Sequence, residues 1–183
     1  MIRAFSFLML LSLGVAAFAE EVPICYNYGC AVMDIVDFSD AELQNIGTLF
    51  SMVPDAAEER EAIAVAIGLF ETYAGQQAPT WTDKGGNAND DEGPGRMDCV
   101  DESANTTAYL RLMERFGWLR LHLVMAPVSR MHWLLYTHWS ARIAEIGTGK
   151  EYAVDSWFHD NGEPAVIFEM ENWMERAGLY GLQ

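Results

Sequence analysis

The sequence predicts an α+β domain in which helices come first and an antiparallel sheet follows, and three observations support this. Two stretches in the first half of the chain repeat apolar residues at helical spacing and begin with the N-cap residues Ser39 and Asp55. A third such stretch begins at Asp98. From Leu119 the pattern changes to alternation, and Gly147-Thr148-Gly149-Lys150 has the composition of a hairpin turn. Helices followed by a run of strands are typical of α+β proteins.

The boundaries of the three helices follow from their caps. Ser39 and Glu42 have the spacing of a capping box, which predicts the start of the first helix. The second helix begins after Asp55 and ends near Gly75, because glycine is common just beyond helix ends. Asp98 is the predicted N-cap of the third helix, with an acid three residues later, so that Cys99 lies in its first turn.

The predicted strands are short and alternate polar with apolar residues. They are the stretches 119–125, 138–146 and 152–156, the last two joined by the glycine turn. Beyond Asn161 the pattern fits either a turn and a helix or a strand followed by a helix, and the sequence leaves both open.

The first 19 residues have the features of a secretory signal peptide. Arg3 gives a short positive start, the run from Phe5 to Val15 is apolar, and Ala17-Phe18-Ala19 is a cleavage site of the A-x-A kind. The apolar run is shorter than the roughly 20 residues that a membrane-spanning helix needs. We therefore expect an exported protein, periplasmic or secreted.

The remainder, residues 20–183, is long enough for a single domain with a hydrophobic core. We divide it into a helical N-terminal part at 20–95 and a second part at 96–160 that holds Cys99 and the predicted strands. The chain has 27 acidic against 11 basic residues and a net charge of −16, with most of the acidic excess in 20–95. Such a charge repels phosphate backbones and anionic lipid, so we expect neither a nucleic-acid partner nor, after leader removal, a membrane partner.

Three cysteines raise the question of pairing. In an oxidising compartment the simplest disulfide joins Cys25 and Cys30, which lie close together in CYNYGC. Cys99 is then left unpaired. An odd thiol in an exported protein is a buried apolar side chain, an intermolecular link or a reactive group, and without context the first is favoured.

The surroundings of Cys99 offer a reason for reactivity. A cysteine nucleophile reacts as the thiolate, and the first turn of a helix favours negative charge. It also needs a general base, usually histidine, oriented by a carboxylate. His138 begins a strand that pairs with the strand carrying Asp155. A hairpin centred on 147–150, however, pairs residue 142 near 155 and leaves His138 beyond it.

Three stretches resemble the core of the transglutaminase-like superfamily: MDCVDESANTTAYLRLMERFGWLR, HWSARI and GKEYAVDSW. In that family a cysteine opens a helix that ends in glycine, a histidine follows on a strand, and an aspartate lies on the next strand after a glycine-containing turn. The closest likeness is to the bacterial transglutaminase-like cysteine peptidases, whose Asp-Cys-x-Asp stretch matches residues 98–101. The resemblance covers residues 97–157 and does not extend clearly to either side.

The resemblance implies a transglutaminase-like or papain-like fold with Cys99 as nucleophile, His138 as base and Asp155 as the residue that orients the base. It also implies that Asp101, with Asp98 beside it, corresponds to a calcium-coordinating acid near the active site. Acids around a cysteine disfavour its thiolate, and a bound cation would reverse that effect. The alternative is that both acids only cap the helix. The chemistry itself requires no cofactor.

The sequence thus predicts an exported cysteine hydrolase that cleaves a protein or peptide substrate through an acyl-thioester. Acyl transfer to an amine would use the same residues. Two alternatives from another class are a catalytically silent acidic domain that binds a peptide or protein and a calcium-regulated binding protein. A zinc site of Cys99, His132 and His138 lacks the usual ligand spacing.

Overall fold

The computed structural model describes residues 19–86, 93–132 and 136–175, so the predicted leader lies almost wholly outside the described part of the chain. The described residues form an α+β arrangement with antiparallel sheets, as predicted. The strands are β1 (Glu20–Tyr26), β2 (Val32–Phe38), β3 (His122–Val124), β4 (Val128–His132), β5 (Tyr136–Glu145), β6 (Glu151–Asp155) and β7 (Val166–Glu169). The helices are α1 (Asp40–Thr48), α2 (Ala56–Ala74), α3 (Cys99–Arg115) and α4 (Met170–Glu175), with a short 3₁₀ turn at Pro79–Thr82.

The predicted order of elements is wrong at its start, because a β-hairpin precedes the helices. β1 and β2 pair in antiparallel fashion, with Tyr26 opposite Val32 next to the turn. The predicted helical part at 20–95 is therefore helical only from α1 onward. The turn is hard to see in the sequence because four successive residues have positive φ, a conformation that only glycine adopts readily. They are Asn27, Tyr28, Gly29 and Cys30.

The predicted disulfide between Cys25 and Cys30 is present and closes this turn. Asn105 of α3 binds the backbone of Cys25 through its side-chain amide. Its side-chain oxygen accepts from the Cys25 N–H at 2.7 Å, and its amide nitrogen donates to the Cys25 carbonyl at 2.8 Å. Both backbone groups are thereby satisfied away from water, which fixes the hairpin against α3.

The predicted caps of the three long helices are confirmed. Ser39 forms the capping box of α1, and the Asp55 side chain accepts two N–H groups of the first turn of α2. Asp98 and Asp101 form a capping box on α3, which makes Cys99 the first residue of that helix. No helix in the described part of the chain has the length and the hydropathy needed to cross a membrane.

The larger sheet is built around β5. β3 and β4 pair with successive parts of β5, β6 pairs with it as well, and β7 pairs with β6. Of the stretch predicted as a strand at 119–125, only β3 is a strand, and β4 is a separate strand that begins after it. The end of the chain resolves the alternative that the sequence left open, since β7 is followed directly by α4.

The hydrophobic core lies where α2 and α3 meet the hairpin and the sheet. Phe38 of β2, Phe70 of α2 and Tyr109 of α3 form an aromatic cluster with ring centroids 5.0 to 6.1 Å apart. Each ring is fully buried, a state that stabilises the fold by about 1.5–3 kcal/mol per side chain. This core fixes α3 and so sets the position of Cys99 relative to β5 and β6.

Candidate active site

Asp155 and His138 form a buried hydrogen-bonded pair. His138 Nε2 lies 2.7 Å from Asp155 Oδ2, and the two residues are 1% and 2% exposed. The predicted pairing of residue 142 near 155 is wrong: Ala141 faces Val154, so Asp155 falls opposite Ser140. His138 lies two residues before Ser140 on β5. Its side chain is therefore on the same face of the sheet and reaches Asp155 diagonally.

The Cys99 thiol lies against β5 beside this pair. Its sulfur is 3.7 Å from the carbonyl oxygen of Thr137, and the backbone N–H of Trp139 is directed at it. The thiol therefore contacts the backbone on both sides of His138. His138 and Asp155 are thus in direct contact, and the start of α3 brings Cys99 to the part of β5 that carries His138.

The charge state of the thiol differs from the sequence-based expectation that a helix start favours the thiolate. Burial raises the pKa of Cys99 to about 11. The Trp139 N–H opposes this shift, but the nearby negative charges of Asp98 and Asp155 add to it. At neutral pH the thiol keeps its proton, so any nucleophilic role requires that a base remove the proton as the sulfur attacks.

The acids next to Cys99 are bound to the disulfide loop. Gly29 donates its N–H to Asp98 Oδ2 at 3.1 Å, and Cys30 donates its N–H to Asp101 Oδ1 at 2.5 Å. The other oxygen of each side chain accepts N–H groups at the start of α3. Successive N–H groups of a left-handed turn form a concave site for anions, and here the anions are the two helix-capping carboxylates.

This arrangement does not fit a calcium ion at Asp98 and Asp101. Calcium needs several oxygens that point at one centre, whereas all four carboxylate oxygens here face N–H donors. Among the described residues, Cys25, Cys30 and Asp101 form the one group of His, Cys, Asp and Glu ligand atoms within 4.8 Å of one another. The two sulfurs of that group are joined in the disulfide. The side chain of His132, on which the zinc alternative depends, lies outside the described part.

We expect that adding calcium or a chelator will leave the thermal unfolding midpoint of the protein unchanged. A calcium ion bound at about 100 times its Kd would add about 2.7 kcal/mol, which at this chain length shifts the midpoint by several degrees. Differential scanning fluorimetry with calcium, magnesium and chelator tests this. A calcium-specific rise that disappears in Asp101→Asn would restore the calcium site.

Two residues that the sequence analysis passed over complete the surroundings of Asp155. Trp173 of α4 donates its indole N–H to Asp155 Oδ2 at 2.8 Å. Arg130 of β4 places its guanidinium 4.5 Å from the Trp173 ring centroid. The rings of Trp157 and Phe158 also pack against His138, at 5.0 and 5.7 Å. His138 thus contacts several aromatic rings and is itself fully buried.

A group of buried acids lies behind the site. Glu102 is one helical turn beyond Cys99 and accepts a hydrogen bond from Ser156, the residue after Asp155. Thr106, one turn further along α3, lies 2.9 Å from the Ser156 hydroxyl. These contacts attach α3 to the end of β6. The one sequence signal for Glu102 was its spacing of three from Cys99, which places it on the same helix face.

A second buried histidine–acid pair is structural. His122 Nδ1 lies 3.1 Å from Glu59 Oε1, and Glu59 also accepts the backbone N–H groups of Arg120 and Leu121. Burial opposes the charge of Glu59, but these hydrogen bonds outweigh it and lower its pKa. Arg60 of α2 lies 3.2 Å from the other ring nitrogen of His122, so these contacts join α2 to β3.

Comparison of the chain with protein-family models, with curated proteins and with solved structures finds no match in any of the three. Any functional assignment must therefore rest on the residues of this chain.

Proposed function

We propose that the protein is an exported cysteine hydrolase, a peptidase or amidase of transglutaminase-like fold, with Cys99 as its nucleophile. The observation that carries this proposal is the buried His138–Asp155 hydrogen bond, on the strand whose backbone contacts the Cys99 thiol on both sides of His138. A thiol next to a base that a carboxylate orients is the arrangement that nucleophilic cysteine chemistry needs. The Cys25–Cys30 disulfide and the predicted leader support export.

Acylation follows from the positions of the ring nitrogens. Asp155 holds Nε2 of His138, so Nδ1 is the nitrogen that takes the thiol proton. The sulfur forms a bond to the acyl carbon while the carbonyl electrons move onto oxygen. The N–H groups of Cys99 and Trp139, both directed at the sulfur, stabilise the negative charge that develops on it as the proton leaves. His138 then passes the proton to the leaving nitrogen as the C–N bond breaks.

Hydrolysis of the thioester reverses these roles. His138 takes a proton from water, the hydroxyl oxygen bonds to the acyl carbon, and the C–S bond breaks. The proton returns to the sulfur, which regenerates the thiol. A primary amine in place of water gives an amide instead, which is the acyl-transfer alternative. Because the pKa of the Cys99 thiol is raised, the proton leaves during the attack and not before it.

A catalytically silent domain that binds a peptide or protein is the second candidate. The observation that favours it is the same raised pKa of Cys99, since a thiol that keeps its proton is a poor nucleophile without an effective base. The strongly acidic chain suits a cationic partner. The two candidates differ in one measurable property, the dependence of Cys99 acylation on His138.

p-Nitrophenyl acetate tests the proposal without knowledge of the substrate. We expect an initial burst of nitrophenol, an acetyl group on Cys99 by mass spectrometry, and continued turnover. His138→Ala should slow acetylation roughly 100-fold or more, because general-base catalysis is lost. His159→Ala is the matched control, since His159 follows β6 and contacts the Pro164 carbonyl.

The outcomes separate the candidates. Equal acetylation rates in the native protein and in His138→Ala would contradict the enzyme and leave the binding domain. Faster turnover with added methylamine, with N-methylacetamide as product, would identify an acyltransferase. Turnover unaffected by methylamine would identify a hydrolase.

A further inference from the structure

Trp173 shares one oxygen atom of Asp155 with the histidine. Asp155 Oδ2 accepts the Trp173 indole N–H at 2.8 Å and lies 2.7 Å from His138 Nε2. Trp173 is 0% exposed. An indole N–H is a donor only, so in this buried place it acts solely on the carboxylate and cannot itself accept a proton.

Arg130 holds Trp173 in this orientation from the other side. Its guanidinium lies over the indole ring and donates to the Trp173 backbone carbonyl. Arg130 is 5% exposed and pairs with His138 in the register of β4 and β5. Four side chains from four elements are thus linked by direct contacts: Arg130, Trp173, Asp155 and His138.

We propose that Trp173 is a positioning residue of the reaction, because its indole N–H fixes the Asp155 carboxylate and through it the orientation of His138. The inference rests on the proposed function. A carboxylate with a single hydrogen-bond partner can turn about its Cβ–Cγ bond, whereas one oxygen held by two donors from different elements cannot. α4, the helix that follows the sheet, is therefore part of the catalytic machinery.

Loss of the indole N–H has two opposing consequences. It makes the carboxylate more basic, which strengthens its attraction for His138, and it removes the restraint on the carboxylate's rotation. Only part of the strength of this hydrogen bond differs between neutral and protonated His138, so the change in the basicity of the carboxylate is the smaller of the two effects. The orientation effect is therefore the larger, and the base becomes less effective.

The test compares Trp173→Phe with Phe158→Leu. The rings of Trp173 and Phe158 both lie 5.7 Å from the His138 ring, but only the indole has a donor for Asp155. We expect Trp173→Phe to acetylate Cys99 about tenfold more slowly at pH 7 and its rate profile to move to higher pH. Phe158→Leu should keep the pH profile of the native protein.

Several outcomes would overturn the inference. One is an unchanged pH profile in Trp173→Phe, and another is an equal shift in Phe158→Leu. If His138→Ala slows acetylation and Trp173→Phe does not, the proposed function stands and the positioning role falls. If His138→Ala has no effect, both fall.

Should Trp173→Phe fail to fold, the indole ¹⁵N–¹H resonance of Trp173 gives a second readout. It should shift in His138→Ala, because the shared oxygen loses a partner, and stay in place in Phe158→Leu. A resonance that does not respond to His138→Ala overturns the proposal.

Discussion

The free energy of unfolding is expected to fall by several kcal/mol as the pH rises from about 5 to about 8, and Glu71 contributes to this fall. Burial raises the pKa of Glu71 from 4.5 to about 8. Below the pKa that Glu71 has in the unfolded chain, its carboxyl group is protonated in both the folded and the unfolded state. Between the two values the unfolded chain releases the proton while the folded one keeps it, so stability declines until the folded pKa is passed. At about 1.4 kcal/mol per unit the loss is on the order of 4 kcal/mol.

The surroundings of Glu71 explain why its protonated form is favoured. One carboxyl oxygen accepts the N–H of Gly162 at 2.9 Å, and the other is buried with no hydrogen-bond partner within the described ranges. The charge of Asp83, near the 3₁₀ turn, opposes ionisation of Glu71 and adds to the effect of burial. Burial also raises the pKa values of Glu102 and Tyr109 on α3, and the charge of Glu71 adds to both shifts. Burial and Asp83 together outweigh the Gly162 N–H, which favours the ionised form of Glu71.

Urea unfolding between about pH 5 and pH 9 measures this effect. Glu71→Gln, which cannot ionise, should show a smaller decline and be more stable than the native protein at the alkaline end. Glu61→Gln, on the exposed side of the same helix, is the control and should follow the native curve. Parallel curves for the native protein and Glu71→Gln would show that Glu71 is ionised in the fold.

The features that the sequence predicted correctly depend on residues close together in the chain. The capping boxes of Ser39 with Glu42 and of Asp98 with Asp101 need only a spacing of three, and both formed. The first of these marks α1, and the second places Cys99 at the start of α3. The disulfide loop was likewise readable, because Cys25 and Cys30 are five residues apart.

The features that it missed depend on tertiary contacts. The turn of the first hairpin contains three non-glycine residues in the left-handed conformation. A fold tolerates such residues only when other groups restrain them. Here Asp98 and Asp101, about 70 residues away, provide that restraint. The polar stretch of α3 is similar: Asn105 binds Cys25, and Thr106 lies beside Ser156. No local pattern encodes either partner.

Gly95→Ala is expected to lower the free energy of unfolding by about 3 kcal/mol or more. Gly95 has φ of 85°, and a Cβ atom there would lie 2.1 Å from the carbonyl oxygen of Pro79. Its N–H also donates to Asn27 Oδ1 at 2.8 Å. The residue is thus confined by the 3₁₀ turn on one side and by the disulfide loop on the other.

Gly117→Ala separates the steric clash with Pro79 from the strain of a side chain at positive φ. Gly117 has φ of 69° at the other end of α3, and a Cβ atom there would meet nothing within 4 Å. Its substitution should cost only the backbone strain, about 1–2 kcal/mol, so the excess in Gly95→Ala measures the clash. Chemical denaturation of both variants gives the difference, and equal losses would show that the Pro79 contact is not rigid.

The clash at Gly95 also has a consequence for the site, because Gly95 lies four residues before Cys99. Relief of the contact with Pro79 must move either the 3₁₀ turn or the segment that leads into α3, and the segment carries Asp98, which caps the helix. Acetylation of Cys99 should therefore slow in Gly95→Ala even under conditions where the variant is fully folded. Gly117→Ala, beyond the far end of the same helix, should keep the native rate, since the core around Tyr109 holds α3 in place. A normal rate in folded Gly95→Ala would mean that the 3₁₀ turn moves and that the start of α3 stays in place.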